Sequence, residues 1–413
     1  MKAIQFGVHP VRWPICKILG LATRRVYWSR LSGLRLRDVE RPALPGDDWV
    51  RVRPLLGGVC GSDIAAIMQR NHPASMLRCF TRFPVGIGHE GVGVIDEVGR
   101  DVDGWEPGQR VCVEPMLSCV PRRIDPVCPR CQAGQISLCE NVTEGALPPG
   151  TMIGWNHFTG GTWGESFVAH RSQLFAVPDG VGDEIAALID PIACAVHAVL
   201  RHRPSADERA LVVGGGVIGL GVLAALRALA PKAKVTAVAR HDHQAELARR
   251  FGADDVIRSR RKDGKADRYQ QVADRVGGRR FDAMFGNQAL MGGFDVVYDC
   301  IGTGDSLTDA MKFARGRGTV VECATSQITV VDTTPLWFAE LNLIGCYGRC
   351  IEQFEGRRMH TYEVVFDLLA SSRLHLDGLL THRFRVEDYR QALAAIINRS
   401  QTGLVKAAFD HRT

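Results

Sequence analysis

The sequence predicts an α/β protein that combines an antiparallel, barrel-like β domain with a doubly wound parallel sheet. Short runs of alternating apolar and polar residues fill roughly the first 113 positions, which is typical of antiparallel strands. Near residue 210, a strand, a glycine turn, a helix and a second strand follow one another, as in a βαβ unit. With 413 residues, the chain is long enough for two domains that each bury a core.

The β domain is predicted from alternation at residues 49–53 and 92–99, with Gly and Pro between such runs. Gly93 and Gly99 would stand where the backbone bends or another strand approaches closely. Residues 105–111 are typical of a turn that leads into a further strand.

Composition and charge exclude several classes of protein. The apolar share of 46% and the charged share of 23% are ordinary for a globular protein. The net charge of +6 is spread over the chain, and the densest basic run has no interleaved aromatic residues, so no nucleic-acid partner is expected. That run consists of Arg258, Arg260, Arg261, Lys262 and Lys265.

The apolar stretch at residues 11–22 is too short to cross a bilayer and is interrupted by Pro14 and Lys17. No membrane contact and no secretory signal are therefore expected. Thirteen cysteines in a chain of this length indicate a reduced, cytoplasmic protein in which some thiols bind metal.

Four cysteines in one loop predict a structural zinc site. Cys119, Cys128, Cys131 and Cys139 have the spacing C-x8-C-x2-C-x7-C. Four thiolates can close a tetrahedron around zinc and leave no position for a substrate. The alternative is that Cys119 is a buried thiol and that packing alone holds the loop.

Two further segments predict an open metal site that serves chemistry. Residues 58–63 read Gly-Val-Cys-Gly-Ser-Asp, and residues 88–91 read Gly-His-Glu-Gly. Cys60, His89 and Glu90 thus come from loops about thirty residues apart, which suits a metal in a cleft with one position left for substrate. Zinc there would ionise an alcohol. Ser62 is placed to take the hydroxyl proton, and Asp63 is expected to hold the second ring nitrogen of His89.

The turn after the strand at residues 211–213 predicts a dinucleotide site. Its cofactor-binding residues are expected to be Gly214, Gly216, Val217, Ile218 and Gly219. A GxGxxG turn between a strand and a helix offers backbone N–H groups to a phosphate. The next strand ends at Ala239, where NAD enzymes carry Asp or Glu, and Arg240 follows. The arginine favours the 2′-phosphate of NADP, although Asp242 could turn inward and serve NAD.

The motifs at Cys60, His89, the cysteine loop and Gly214 together resemble the zinc-dependent medium-chain alcohol and polyol dehydrogenase family, from about Gly57 to Ala408. The first fifty residues fit less closely, and residues 259–293 read as a surface insertion. The resemblance implies a GroES-like catalytic β-barrel at 1–195 and 347–413, and a Rossmann domain at 196–346. It also implies a homodimer or homotetramer.

The resemblance implies that Cys60 and His89 are zinc ligands, and that Glu90 is either the third ligand or a group that exchanges with water. Asp190 stands where the family places Cys or Glu, so it is a further candidate ligand. The family's cysteine loop reads C-x2-C-x2-C-x7-C, which differs from this chain only in the first gap. His157, His170 and His197 lie outside these motifs and are expected to be ordinary polar residues.

The predicted activity is zinc-dependent hydride transfer between NAD(P) and a substrate, with NADP as the favoured cofactor. The substrate would be a secondary alcohol, polyol or sugar-like compound, or the matching carbonyl compound. One alternative is a zinc-free NADPH-dependent quinone or enone reductase, but such relatives lack the cysteine and His-Glu sets found here. The other alternative is a non-catalytic protein that binds nucleotide and zinc.

Overall fold

The computed structural model describes residues 1–259, 264–325 and 327–412, and it contains two compact units. The first unit spans Met1–Asp190 and Asp377–Thr413, and the second spans Pro191–Leu376. These limits differ from the predicted domain boundaries, because residues 347–376 lie in the second unit. Two contacts hold them there: Glu352 pairs with His197 at 2.6 Å, and Arg373 donates to the carbonyl of Ala228 at 3.1 Å.

The N-terminal part of the chain supplies eight strands of the first unit. They are β1 (Lys2–Phe6), β2 (Leu34–Asp38), β3 (Trp49–Gly58), β4 (Val85–Gly86), β5 (Glu90–Val98), β6 (Arg110–Val113), β7 (Phe167–His170) and β8 (Leu174–Ala176). The helices are α1 (Arg12–Leu19), α2 (Gly61–Ile67), α3 (Pro129–Gln132) and α4 (Asp183–Ala186). The next helix, α5 (Ile189–Arg201), begins in the first unit and lies mainly in the second. Short 3-10 helices lie at Arg24–Trp28, Met76–Phe80, Ile136–Leu138 and Arg171–Gln173.

Besides most of α5, the second unit contains ten strands and six α-helices among the described residues. The strands are β9 (Arg209–Val213), β10 (Lys234–Ala239), β11 (Asp255–Arg258), β12 (Arg279–Asp282), β13 (Gln288–Met291), β14 (Phe294–Asp299), β15 (Ala314–Glu322), β16 (Asn342–Gly345), β17 (Ile351–Phe354) and β18 (Arg357–His360). The helices are α6 (Val217–Leu229), α7 (Asp242–Arg250), α8 (Gly264–Val276), α9 (Gly304–Phe313), α10 (Thr334–Phe338) and α11 (Thr361–Ala370). A 3-10 helix lies at Met284–Gly286.

The central sheet of the second unit is parallel throughout, in the order β11-β10-β9-β14-β15-β16. This order reverses direction between β9 and β14, which defines a doubly wound fold. Its central strands are apolar on both faces because helices cover both, and Leu211, Val297 and Val320 are fully buried. The prediction of a doubly wound parallel sheet is confirmed.

The segment at residues 259–293 forms α8 and a hairpin of β12 and β13 beside that sheet. The tip of the hairpin carries the exposed side chains of Met284 and Phe285. Residues 260–262 of the predicted basic run lie outside the described part of the chain.

The chain then returns to the first unit through β19 (Leu380–Phe384), a 3-10 helix at Val386–Asp388, α12 (Tyr389–Ile397), α13 (Arg399–Thr402) and β20 (Lys406–Asp410). A seven-stranded sheet results, in the order β19-β20-β3-β5-β6-β8, with β7 also paired to β3. Its pairs are antiparallel except β19 with β20. The predicted antiparallel β domain is therefore confirmed, with this one parallel pair as an exception.

The less typical N-terminal stretch forms α1 and the 3-10 helix Arg24–Trp28 between β1 and β2. Cys16, Val26 and Tyr27 are buried against the core that contains Ile4 and Phe409. Among the described helices, none has both the length and the apolar composition that crossing a bilayer requires.

Candidate active site, cysteine lobe and cofactor turn

Cys60 lies at the point where β3 gives way to α2. It is the N-cap residue of α2, and its backbone N–H donates to Asp63 Oδ2 at 3.1 Å. The third residue of the helix thereby fixes the backbone of Cys60, as in a capping box. The thiol is half-buried at the N-terminus of α2.

Antiparallel pairing brings His89 and Glu90 to this thiol. Gly58 of β3 pairs with Glu90 of β5, so the loops that carry Cys60 and His89 leave neighbouring strands side by side. A Cβ at Gly58 would lie 2.7 Å from Glu90 Oε2, which explains a glycine there. The ligand atoms of Cys60, His89 and Glu90 all lie within 4.8 Å of one another.

Asp63 positions the imidazole of His89. Its Oδ1 atom lies 3.3 Å from His89 Nδ1, and both side chains are almost fully buried. This contact leaves Nε2 of His89 for a metal. Burial alone would lower the pKa of His89, but the negative charges of Asp63 and Cys60 raise it well above its ordinary value. The negative charges of Asp63 and Cys60 thus favour a cation at this position.

Sequence reasoning missed a further component of this site, Lys406. Its ammonium group donates to Glu90 Oε2, and the side chains of both residues are only 2% exposed. The strand β20 places Lys406 there because Ala408 pairs with Gly58. Burial alone would raise the pKa of Glu90, but Lys406 holds it below its ordinary value. The stretch from Gly403 to Lys406 falls within the family resemblance, but only the strand pairing shows that Lys406 reaches Glu90.

The structure does not bring Asp190 into the set of converging ligand atoms formed by Cys60, His89 and Glu90. The negative charge of Asp190 instead acts on Lys406. Burial alone would lower the pKa of Lys406, but negative charges nearby, among them the carboxylates of Glu90 and Asp190, raise it. Ser62 is half-buried on the first turn of α2, two residues beyond Cys60.

The residues present fit a zinc ion. A thiolate, an imidazole and a carboxylate are ligands that zinc accepts, and three protein ligands leave a position for a substrate. Buried Nδ1 of His89 and Oδ1 of Asp63 lack a hydrogen bond of good geometry among the described residues. A cation bound at Nε2 would fix the orientation of the imidazole and balance the buried negative charge of Asp63.

The four loop cysteines also converge. The sulfur atoms of Cys119, Cys128, Cys131 and Cys139 lie within 4.8 Å of one another, and those of Cys119 and Cys139 are 3.6 Å apart. Cys119 belongs to the set, so it is not a separate buried thiol. The N–H of Cys128 and the amide of Asn141 both donate to Cys119 Sγ at 3.3 Å, so the sulfur is oriented as an acceptor. This arrangement fits a closed, structural zinc site.

Arg122 holds the cysteine lobe together and was also missed by sequence reasoning. Its side chain is fully buried, and its guanidinium donates to the carbonyl oxygens of Leu117, Glu144, Leu147, Pro148 and Gly150. Burial lowers the pKa of Arg122 to about 10, while Cys139 and Cys119 act in the opposite direction. The lobe therefore contains a buried cation near its thiols.

The predicted glycine turn lies between β9 and α6 in the second unit. Gly214 has φ +123°, and a Cβ at Gly219 would lie 1.8 Å from the carbonyl oxygen of Gly214. Gly216 is the N-cap of α6, and a Cβ there would meet nothing within 4 Å. Gly219 is thus needed for packing, whereas the space at Gly216 is open for a phosphate at the N-terminus of α6, which begins with Val217 and Ile218.

Arg240 directly follows the last residue of β10. Ala239 is buried as the last residue of the strand, and Arg240 is exposed. Asp242 is exposed and accepts a hydrogen bond from the guanidinium of Arg258. This ion pair engages the carboxylate that could otherwise have served NAD.

Comparisons with known proteins agree with this architecture, in which one unit holds two zinc-type ligand sets and the other a dinucleotide turn. Residues 46–179 match the alcohol dehydrogenase GroES-like domain, and residues 219–363 match the zinc-binding dehydrogenase family. Together the two ranges cover more than half of the chain. The chain belongs to the zinc-dependent medium-chain alcohol and polyol dehydrogenase family.

Relatives cover nearly the whole chain. L-idonate 5-dehydrogenase of Vitis vinifera is 29% identical over 86% of this chain and 86% of its own length. L-threonine 3-dehydrogenase of Paraburkholderia xenovorans is 29% identical, over 90% and 94%. A zinc-binding dehydrogenase of Sinorhizobium meliloti, solved with NADP, is 25% identical with a TM-score of 0.68, over 91% and 96%.

The protein is an NAD(P)-dependent alcohol dehydrogenase that acts on CH–OH donors, with zinc and NAD(P) as its cofactors. The predicted family, fold class and cofactors are confirmed. The zinc-free reductase and the non-catalytic protein are not favoured by these matches.

Proposed function

We propose that the protein interconverts a secondary alcohol of a polyol, sugar-like compound or hydroxy acid and the matching carbonyl compound, with NADP as the preferred cofactor. The observation that carries this proposal is the convergence of the Cys60, His89 and Glu90 ligand atoms beside Ser62. The relatives named idonate and threonine dehydrogenases support a substrate whose reacting carbon is flanked by polar groups.

The chain's own residues divide the work. Cys60, His89 and Glu90 would hold the zinc ion, which would supply the Lewis acidity that makes an alcohol easier to deprotonate, and bound NAD(P) would be the hydride acceptor. Ser62 accepts the proton from the substrate hydroxyl. Ile64 and Ala65 are buried and carry no titratable group, so the proton leaves Ser62 through a cofactor hydroxyl or water. We assign Asp190 to the charge balance around Lys406 and the four loop cysteines to a structural zinc.

The preference for NADP rests on Arg240. It is exposed at the end of β10, and no carboxylate stands at Ala239 to bind the ribose hydroxyls. A guanidinium binds a 2′-phosphate with charge-assisted hydrogen bonds. Asp242 is held by Arg258, which leaves the guanidinium of Arg240 as the group that meets the ribose.

The test is kcat/KM for NADP and NAD over a panel of polyols, sugars and hydroxy acids, on protein of measured zinc content. We expect kcat/KM to be at least about 10-fold higher with NADP. Arg240→Asp should lower kcat/KM for NADP by about 10-fold or more and leave the value for NAD unchanged or higher. Arg250→Asp, an exposed arginine at the end of α7, is the matched control. A preference of the unaltered enzyme for NAD would refute this assignment.

We further propose that the protein is a homodimer, with β16 contributing to the interface. The strand β16 is the outer strand of the six-stranded sheet. Large apolar side chains next to this edge are exposed, namely Trp337, Phe338 and Leu343. An outer strand beside exposed apolar surface favours pairing with a second copy. Light scattering on Leu343→Glu and on the unaltered chain tests this.

The cytoplasmic location also remains a proposal. All thirteen cysteines lie within the described residues, and no disulfide joins any two of them there. Such a set of thiols suits a reducing compartment.

A further inference from the structure

A third cluster of metal-binding side chains lies in the second unit, apart from both zinc-type sets. His197, Cys350 and Glu352 each offer one ligand atom, and these atoms all lie within 4.8 Å of one another. His197 comes from α5, Glu352 from β17, and Cys350 immediately precedes that strand. The side chains of His197 and Glu352 are only 10% and 11% exposed.

The three side chains contact one another directly. Nδ1 of His197 lies 2.6 Å from Glu352 Oε1 and 3.7 Å from Cys350 Sγ. The thiol of Cys350 also forms a hydrogen bond with Glu352, so the carboxylate is the common partner of the imidazole and the thiol. Each of the three potential ligand side chains therefore approaches the other two.

The distances are close to those of a tetrahedral metal site. Zinc bonds of about 2.0 to 2.3 Å at tetrahedral angles place the ligand atoms roughly 3.3 to 3.8 Å apart. The sulfur–nitrogen distance already agrees with this range. The nitrogen–oxygen distance needs to open by only about 1 Å when an ion replaces the shared proton.

Thr361 fixes two of the three ligands. Its hydroxyl lies 3.1 Å from Glu352 Oε1 and 2.9 Å from the carbonyl oxygen of Cys350, and it accepts the N–H of Cys350 at 3.1 Å. Thr361 is fully buried at the start of α11. A polar group that orients ligands from behind is typical of metal sites.

We propose that His197, Cys350 and Glu352 bind a divalent cation of the zinc class. A thiolate and a carboxylate together balance its charge of +2, and the imidazole adds a neutral ligand. The mixture of sulfur, nitrogen and oxygen ligands suits Zn²⁺ or Co²⁺ and disfavours Mg²⁺ and Ca²⁺. The ion would tie α5 to the hairpin of β17 and β18. This proposal does not depend on the proposed substrate or cofactor preference.

Metal analysis of the full chain tests the third site. After loading with Zn²⁺ and gel filtration, the unaltered protein should hold three zinc ions per chain. Cys350→Ser and His197→Gln should each hold two, with the dissociation constant of the third ion raised at least about 100-fold. Turnover should stay within about 2-fold of the unaltered value, because neither residue belongs to the proposed active site. Cys346→Ser changes a nearby thiol outside the cluster and should keep all three ions.

A measurement on the unaltered protein keeps the test independent of how well the variants fold. Loaded with ¹¹³Cd²⁺, it should show three cadmium resonances, one from a four-sulfur site and two from one-sulfur sites. Two zinc ions and two cadmium resonances in the unaltered protein would overturn the proposal. Retention of the third ion by Cys350→Ser would overturn it as well.

Discussion

Replacing Lys406 by Met should be among the most damaging single changes in the first unit. Lys406 and Glu90 are both 2% exposed, so solvent does not screen their attraction. Removing one partner of such a pair leaves a buried, uncompensated charge, which costs about 3–5 kcal/mol. Methionine keeps most of the side-chain volume, so the loss reports the charge and not a cavity.

The assay is denaturant unfolding of the metal-free protein followed by tryptophan fluorescence, so that no zinc ion compensates the charge of Glu90. Six of the seven tryptophans lie in the first unit, so the signal reports mainly on the unit that contains Lys406. The matched control is Lys2→Met, which breaks an ion pair with Glu387 whose side chains are 50% and 42% exposed. It should cost less than about 1 kcal/mol.

A double-mutant cycle separates the ion pair from other effects of the substitution. Lys406→Met combined with Glu90→Gln removes both charges and should recover at least about 2 kcal/mol of the loss. The reasoning is refuted if Lys406→Met costs no more than Lys2→Met. It is equally refuted if the losses from the two single changes simply add.

Three further changes test separate parts of the structure. Gly219→Ala should destabilise the folded protein by at least about 2 kcal/mol, because the new Cβ would overlap a backbone oxygen. Gly216→Ala should leave stability unchanged and weaken NAD(P) binding. Equal stability losses in the two variants would contradict this. Cys131→Ser should remove one zinc ion per chain and lower the free energy of unfolding by at least about 2 kcal/mol, while turnover persists. Replacing the exposed Cys79 by Ser should change neither the zinc content nor the stability. Loss of turnover alone in Cys131→Ser would mean that the two zinc sites are assigned the wrong way round. Burial raises the pKa of Asp299 to about 6. The folded state therefore binds the carboxyl proton of Asp299 more tightly than the unfolded state does. The contribution of Asp299 to stability should fall by about 1 kcal/mol from pH 5 to pH 7. Asp299→Asn should abolish that part of the pH dependence in denaturant unfolding, and an unchanged slope would contradict the assignment.

Features that depend on neighbouring residues in the chain were predictable from the sequence. The turn from Gly214 to Gly219 requires a strand before it and a helix after it, and both are visible as apolar patterns within about thirty residues. The cysteine loop is equally local, since all four thiols fall within residues 119–139. Short spacings limit where the backbone can place these groups, so sequence patterns predict such sites well.

Features that depend on strand pairing were not predictable in the same way. Lys406 lies 316 positions after Glu90 and reaches it only because β20 pairs with β3. Nothing in the residues around Lys406 distinguishes it from a surface lysine. The alternation pattern predicts that strands exist, but it does not specify which strands are neighbours.

The domain boundary near residue 347 shows the same limitation. Residues 347–376 contain a hairpin and a helix, elements that either unit could have accommodated. Their place in the second unit follows from individual contacts, such as the pair of His197 with Glu352. His197 itself was expected to be an ordinary polar residue because its partners are about 150 positions away.

The two zinc-type sets of the first unit differ in how their charge is balanced. In the cysteine lobe, the buried cation Arg122 lies within the same segment as the four thiols and donates only to backbone carbonyl oxygens. Its role is therefore to hold the loop in shape. In the proposed active site, the buried cation Lys406 instead contacts Glu90, one of the ligands. A carboxylate shared between an ammonium group and a metal can shift between them, which suits a site that must admit and release a substrate.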